Sequence, residues 1–327
     1  QTEYNNKLAF CRLPHPSMQT FFGLNNLPAF FPPCALTIGN FDGVHQGHLA
    51  LIQQLKTQAD ILKLPVVLYT FEPLAKEYFT NLPTSTRPPA VRISPLADKL
   101  RFLEATGAVD CVLVSEFNDE FAHISAEDFV SSLLIHTIHA KYVLIGEDFK
   151  FGFQRRGNLH FLQQFNFFKT EKIDPVLIDG ARVSSSMIRQ KLLQGDFQGA
   201  ERLLGHPYAL SGIVKHGRKL GRTLGCPTAN IDLCTHRFPL HGIYVTEVEG
   251  PPGKYRGVAS FGTNPTVDDD PTPKFEVHLL DFDGDLYGQE LTVTFKAKIR
   301  DEIKFDNLQA LKECIHQDMH FAKAYFG

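Results

Sequence analysis

The sequence predicts two domains: an α/β domain built on a parallel sheet, then a small antiparallel β-barrel followed by a helix. Three observations predict it. The chain has 327 residues, more than one domain ordinarily holds. Its first half alternates short apolar runs with helical periodicities, the pattern of a sheet covered by helices on both faces. Beyond about residue 205 the helical signal gives way to strand-like segments separated by turn residues.

In the first half, residues 35–38 read as a buried strand. A helix from Leu49 onward carries Ile52, Leu55, Ala59 and Leu62 at helical spacing. Residues 66–71 (VVLYTF) form a second buried strand and complete a β-α-β unit. Segments 94–106 and 125–138 read as helical, and 111–114 and 142–145 as extended. Ligands of such sheets bind outside the carboxyl ends of the strands. In the second half, segments 208–215, 242–248, 255–261, 274–282 and 290–297 are strand-like. Val277, Leu279, Thr292 and Thr294 show the partial alternation of half-exposed strands. About six such strands close naturally into a small barrel. Leu308, Leu311, Ile315, Met319 and Ala322 share one face of a last helix, with Asp306 and Gln309 resembling its capping box. Residues 1–17 show no clear periodicity and read as an extension; the first domain is placed at 18–189, a helical linker at 190–205 and the barrel at 206–327.

Composition narrows the partners. A formal charge of −3 gives no basic field for nucleic acid. No apolar run approaches the ~20 residues that span a bilayer, and no secretory signal core is visible. Six cysteines form no C-x-x-C pair, as expected of reduced thiols rather than of a disulfide framework or zinc site. These features predict a cytoplasmic protein with neither nucleic-acid nor membrane partners.

The chemistry begins at residues 39–48, GNFDGVHQGH, where a strand hands over to a helix. His45 and His48 are three residues apart with Gly47 between them, so both imidazoles can address one anion beside the free N–H groups of a helix start. A pair of zinc ligands is the duller alternative, but no third ligand stands close by in sequence. The chain has no G-x-x-x-x-G-K-[ST] and no G-x-G-x-x-G after a strand. Arg182-Val183-Ser184-Ser185-Ser186-Met187-Ile188-Arg189 offers three hydroxyls between arginines at a helix start, a second phosphate cradle or a plain cap. Residues 146–152, GEDFKFG, follow the strand YVLI. HxGH in this setting resembles the nucleotidyltransferase superfamily, and the three motifs together resemble the FMN adenylyltransferase domain of bacterial bifunctional FAD synthetases. The resemblance implies that His45 and His48 stabilise charge on ATP phosphates. It further assigns ATP and phosphate contacts to Gly39, Asn40, Phe41, Gly47, Arg182, Ser184, Ser185, Ser186 and Arg189, and flavin binding to Asp148. One position departs from the family pattern: Phe71-Glu72-Pro73-Leu74-Ala75 lacks the histidine of F-x-P-H-P.

In the barrel half, residues 217–230 read GRKLGRTLGCPTAN. Gly217, Gly221 and Gly225, spaced by four with Arg222 among them, make a basic loop able to wrap phosphates, or else a surface turn. Thr228 and Asn230 suit a phosphate-bound Mg²⁺, which keeps few protein ligands. This stretch resembles the riboflavin kinase signature, as do residues 262–266 and 299–302. The resemblance makes Glu276 the general base toward the riboflavin 5′-hydroxyl and places Arg300 near the flavin. The acidic stretch 281–285 fails as a calcium loop, because Leu286 and Thr292 stand where Gly and Glu are needed; it reads as a hairpin turn. The resemblance thus implies an α/β nucleotidyltransferase domain with a Rossmann-like sheet, then a riboflavin kinase barrel with a C-terminal helix. Its substrates would be riboflavin, FMN and ATP, its metal Mg²⁺, and its products FMN and FAD.

Overall fold

The computed structural model describes residues 17–217, 226–234, 236–262 and 274–327. The chain gathers into two compact units: residues up to Ala90 with Lys99–Val183, and Val91–Asp98 with Ser184–Gly327.

The first unit is a six-stranded sheet, β1 (Gln19–Phe22), β2 (Cys34–Ile38), β3 (Val66–Phe71), β4 (Cys111–Ser115), β5 (Ala140–Gly146) and β6 (Lys169–Ile173), in the order β1-β4-β3-β2-β5-β6. Every pairing is parallel. CALTI, VVLYTF and CVLVS are buried at every position, as central strands covered on both faces must be. The edge strands QTFF and KTEKI escape the sequence pattern because they are short and half polar, and only their neighbours make them strands. Helix α1 (Gln46–Leu62) links β2 to β3 and buries Leu51, Ile52, Leu55 and Ala59. It starts three residues before the apolar periodicity does, so Gly47 and His48 lie in its first turn. Short helices α2 (Ala75–Asn81) and α3 (Leu96–Ala105) follow β3. The helical stretch before β5 runs from Ala126 through Phe129–Thr137 with π-type bonding, Ile138 N–H donating to Leu133 carbonyl at 2.8 Å.

The second unit is a closed antiparallel barrel of β9 (Ala209–Lys215), β10 (Ala229–Asp232), β11 (Gly242–Gly250), β12 (Gly253–Gly262), β13 (Lys274–Leu279) and β14 (Glu290–Arg300), in the order β10-β13-β12-β11-β14-β9. Between the two large sheets in sequence lies a two-residue pair, β7 (Leu177–Ile178) and β8 (Ala181–Arg182). β10 carries no strand signal of its own, since PTAN reads as a loop; pairing to β9 and β13 makes it extended. The region between the halves forms two helices, Ser185–Leu193 and Phe197–Leu204, turned by Gly195 at φ +73°. Phe197 stacks on Phe295 of β14 with ring centroids 5.7 Å apart.

Two sequence expectations are corrected. The last helix, Leu308–Phe326, is capped by Asn307, whose side chain accepts from the Ala310 N–H at 2.9 Å, rather than by Asp306. Asn is as good an N-cap as Asp, so local register decided between them. Residues 281–285 do not make a hairpin: β13 and β14, which they help connect, are not neighbours in the barrel. No helix among the described residues is long and apolar enough to cross a membrane.

Candidate active sites

The HxGH stretch begins at the carboxyl end of β2. Phe41, Gly43 and Val44 have φ of +47°, +82° and +41°. For a β-branched valine this is a strained conformation, held by burial of Phe41, Asp42 and Val44. His45 then caps α1 and His48 is its third residue, and the two cap each other. His45 N–H donates to His48 Nδ1 at 3.3 Å, and His48 N–H donates to His45 Nδ1 at 3.4 Å. The rings stack with centroids 3.6 Å apart and planes 15° from parallel. Because each Nδ1 accepts a backbone proton, a neutral imidazole in this arrangement carries its hydrogen on Nε2. Burial, with His45 and Lys99 adding to it, holds the His48 pKa well below the ordinary value, so His48 is a neutral donor. A Cβ on Gly47 would stand 3.2 Å from the His45 ring, which is why this position favours glycine. The Phe41 ring packs against His48 at 5.0 Å, and a Cβ on Gly39 would press on Phe41 at 3.2 Å.

Asp148 and Arg182 are brought together as an exposed ion pair at 2.6 Å. Within GEDFKFG, Phe151 is a buried anchor against Phe129, at 4.8 Å between centroids. The next-door Val183 carbonyl lies 3.8 Å from the place of a Gly47 Cβ. Ser184, Ser185, Ser186 and Arg189 belong to the second unit. Ser184 caps the helix Ser185–Leu193 by accepting from Met187 N–H at 3.3 Å, and Ser186 is exposed. The capping function is therefore real for Ser184. Leu74, where the family pattern has histidine, is buried at the start of α2.

In the barrel, Asn230 stands directly across from Glu276 in the β10–β13 ladder. The Thr228 hydroxyl donates to Glu276 Oε2 at 3.2 Å. Burial pushes the Glu276 carboxyl above its ordinary pKa, partly offset by the Thr228 hydrogen bond and by Lys274. His278 Nδ1 donates to the Pro227 carbonyl at 2.7 Å and pins the chain ahead of Thr228. A cavity of about 570 Å³ opens here, lined by Gly217, Thr228, Asn230 and residues 282–287 among others. The acidic stretch thus borders a cavity, which nothing in its own sequence announces. Gly221, Arg222 and Gly225, with residues 263–266, lie outside the described residues. Gly217 is described, and a Cβ there would fall 2.3 Å from the Asn230 amide nitrogen. Gly217→Ala is therefore expected to displace the Asn230 amide.

Arg300 is committed within the barrel unit. Its Nε and Nη2 donate to Asp318, at 2.7 Å for the shortest bond, and Nη1 donates to the Asp301 carbonyl at 3.0 Å. Asp318 is 5% exposed, so the pair ties the end of β14 to the last helix. Asp318→Ala should leave a half-buried guanidinium without its carboxylate and cost about 2 kcal/mol, below the ~3–5 of fully buried pairs; a lowered denaturant midpoint would show it.

One unit presents a stacked histidine pair after a strand's carboxyl end, and the other a half-buried carboxylate beside residues that line a cavity. These define a two-domain transferase that handles phosphates at two centres. A family model for FAD synthetase matches residues 28–187 and one for riboflavin kinase matches residues 204–326. A Haemophilus influenzae protein described as a bifunctional riboflavin kinase/FMN adenylyltransferase is 43% identical over 315 residues, covering 95% of this chain and 100% of its own. Proteins so described from Pseudomonas fluorescens and Escherichia coli K12 are each 42% identical, covering 94% and 95% of this chain and 97% and 98% of theirs. Among solved structures, a Streptococcus pneumoniae protein described as a macrolide-efflux protein superposes with a TM-score of 0.74 at 30% identity, covering 94% of this chain and 99% of that one. The chain belongs to the family of bifunctional riboflavin kinases/FMN adenylyltransferases.

Proposed function

We propose that this chain makes FMN from riboflavin and ATP on its barrel, and FAD from FMN and ATP on its α/β unit. In the first reaction the riboflavin 5′-oxygen attacks the γ-phosphorus of ATP, Glu276 accepts the hydroxyl proton, and ADP leaves. The single observation that carries this assignment is the half-buried Glu276 carboxylate bonded to Thr228 and paired across from Asn230, two residues that line the cavity. Gly217, Gly221, Arg222 and Gly225 would hold the phosphates. Thr228 and Asn230 offer a hydroxyl and an amide oxygen next to a carboxylate, a donor set that fits Mg²⁺, whose charge would neutralise the phosphate oxygens. Arg300 shapes the flavin side of the site through the helix it anchors. In the second reaction an FMN phosphate oxygen attacks the α-phosphorus of ATP and pyrophosphate leaves, with the His45 and His48 Nε2–H groups donating to the departing charge. Gly39, Asn40, Phe41 and Gly47 shape that centre, and Arg182 supplies a phosphate donor. Asp148 contributes to the flavin side.

Residues 18–189 and 206–327, joined by 190–205, would be the functional domains, and a cytoplasmic location suits free cysteines at 34, 111, 226, 234 and 314. Incubating the protein with riboflavin, ATP and Mg²⁺ and separating the flavins tests the whole reading. FMN followed by FAD is expected; FMN alone would remove adenylyl transfer, and unchanged riboflavin would leave a flavin-binding module.

A further inference from the structure

Lys99 belongs to none of the sequence motifs, yet it is among the most deeply placed charges in the chain. On α3, it is 1% exposed. Lysine is almost never buried so fully without a partner that repays desolvation. Its Nζ donates to the Thr70 hydroxyl at 3.3 Å. Thr70, near the carboxyl end of β3 and itself fully buried, donates in turn to the Asn40 carbonyl at 3.3 Å. A hydroxyl has one proton, so spending it on Asn40 leaves Thr70 an acceptor toward Lys99, and the chain of bonds runs one way from the ammonium to the peptide. Asn40 opens the turn in which Phe41 and Val44 hold the strained positive φ that precedes the histidine pair.

We propose that Lys99 is a positioning residue for adenylyl transfer, its ammonium fixing through the Thr70 hydroxyl the Asn40 peptide and with it the turn that presents His45 and His48. A strained turn needs such over-determination to persist, and a charge-assisted bond is about twice as strong as a neutral one. The ammonium has a second consequence. Burial first of all opposes protonation of His48, and His45 at the cap of α1 and Lys99 on α3 add to it. The proposal rests on reading HxGH as the adenylyl-transfer centre.

Lys99→Met keeps the length and removes the charge; Thr70→Val keeps the shape and removes the relay. Both should lower kcat for FAD formation from FMN, Lys99→Met by about 10- to 100-fold, with the ATP KM changing less than about threefold. Lys99→Arg and Thr70→Ser should recover most of the loss. By NMR the His48 ring should titrate at higher pH in Lys99→Met than in the parent. Circular dichroism and the melting temperature of the full chain report whether each variant is folded. If Lys99→Met does not fold, Thr70→Val decides alone. Folded variants with FAD formation within about twofold of the parent and an unmoved His48 titration would overturn the role of Lys99. The parallel variant His45→Asn/His48→Gln separates the two claims. If it is inactive while the Lys99 and Thr70 variants are active, only the relay fails; if it too is active, the transfer centre itself is misassigned.

Discussion

Glu276→Gln should abolish most FMN formation while leaving the protein as stable as before or more so. The amide keeps the side chain's shape and its bond to Thr228 but cannot take the riboflavin hydroxyl proton. Removing a general base of this kind costs roughly 10²- to 10⁴-fold in turnover. FAD formation from supplied FMN should survive, because that chemistry is assigned to the other unit. The stability half follows from the sign of the pKa shift. Burial raises the Glu276 pKa above its ordinary 4.5, so the native state holds the proton more tightly than the unfolded chain does. Its contribution to stability is therefore present below the ordinary value and lost as pH rises through the native one. At pH 7 the parent carries the burden of a desolvated carboxylate and the Gln variant does not, so the variant should melt at or above the parent temperature, with the gap closing toward pH 4. Near-normal kinase turnover in the variant would remove Glu276 from the mechanism, and a much lower melting point would make it a structural residue.

Replacing the histidine pair should give the second-largest effect, on FAD formation alone. Alanine at either position confounds two roles, since the structure makes His45 and His48 a reciprocal cap and the proposed chemistry uses their Nε2–H groups as donors. His45→Asn with His48→Gln separates them: Asn is a favoured N-cap and Gln at the third helical residue completes a capping box. This variant should keep its melting temperature within a few degrees and lose about 10²- to 10³-fold in adenylyl transfer, the cost of deleting an oxyanion-type donor. The loss should fall on kcat more than on the ATP KM, because the stabilised charge develops as pyrophosphate departs. Acid provides an independent check. The native His48 pKa lies below its ordinary 6.5, so below that pH the unfolded chain binds a proton the native state refuses, and stability falls. The variant should lose less stability than the parent between pH 7 and 5.5. Retained transfer would reduce both imidazoles to caps.

The sequence determined a great deal. VVLYTF and CVLVS announce central parallel strands, and the change of pattern after residue 205 announces the barrel. The candidate motifs were legible because each concentrates its telling residue types in about ten consecutive residues. Glycines permit close approach, and histidines, hydroxyls or arginines at a helix start serve an anion. Strand β10 and the edge strands β1 and β6 were not legible, because their extended form comes from partners far away in the chain.

What only the tertiary structure decided is how side chains from separate segments share one environment. Asn230 meets Glu276 because β10 pairs with β13, and Glu276 gains its raised pKa from surroundings that local sequence cannot count. The acidic stretch at 281–285 reads as a turn, yet barrel order sets it beside a cavity. Lys99 is one lysine on a short helix until the fold places it against Thr70, 29 residues away. Sequence periodicity reports which face of an element is apolar; desolvation, charge and hydrogen-bond partnership depend on contacts between distant segments, and only the folded chain fixes those.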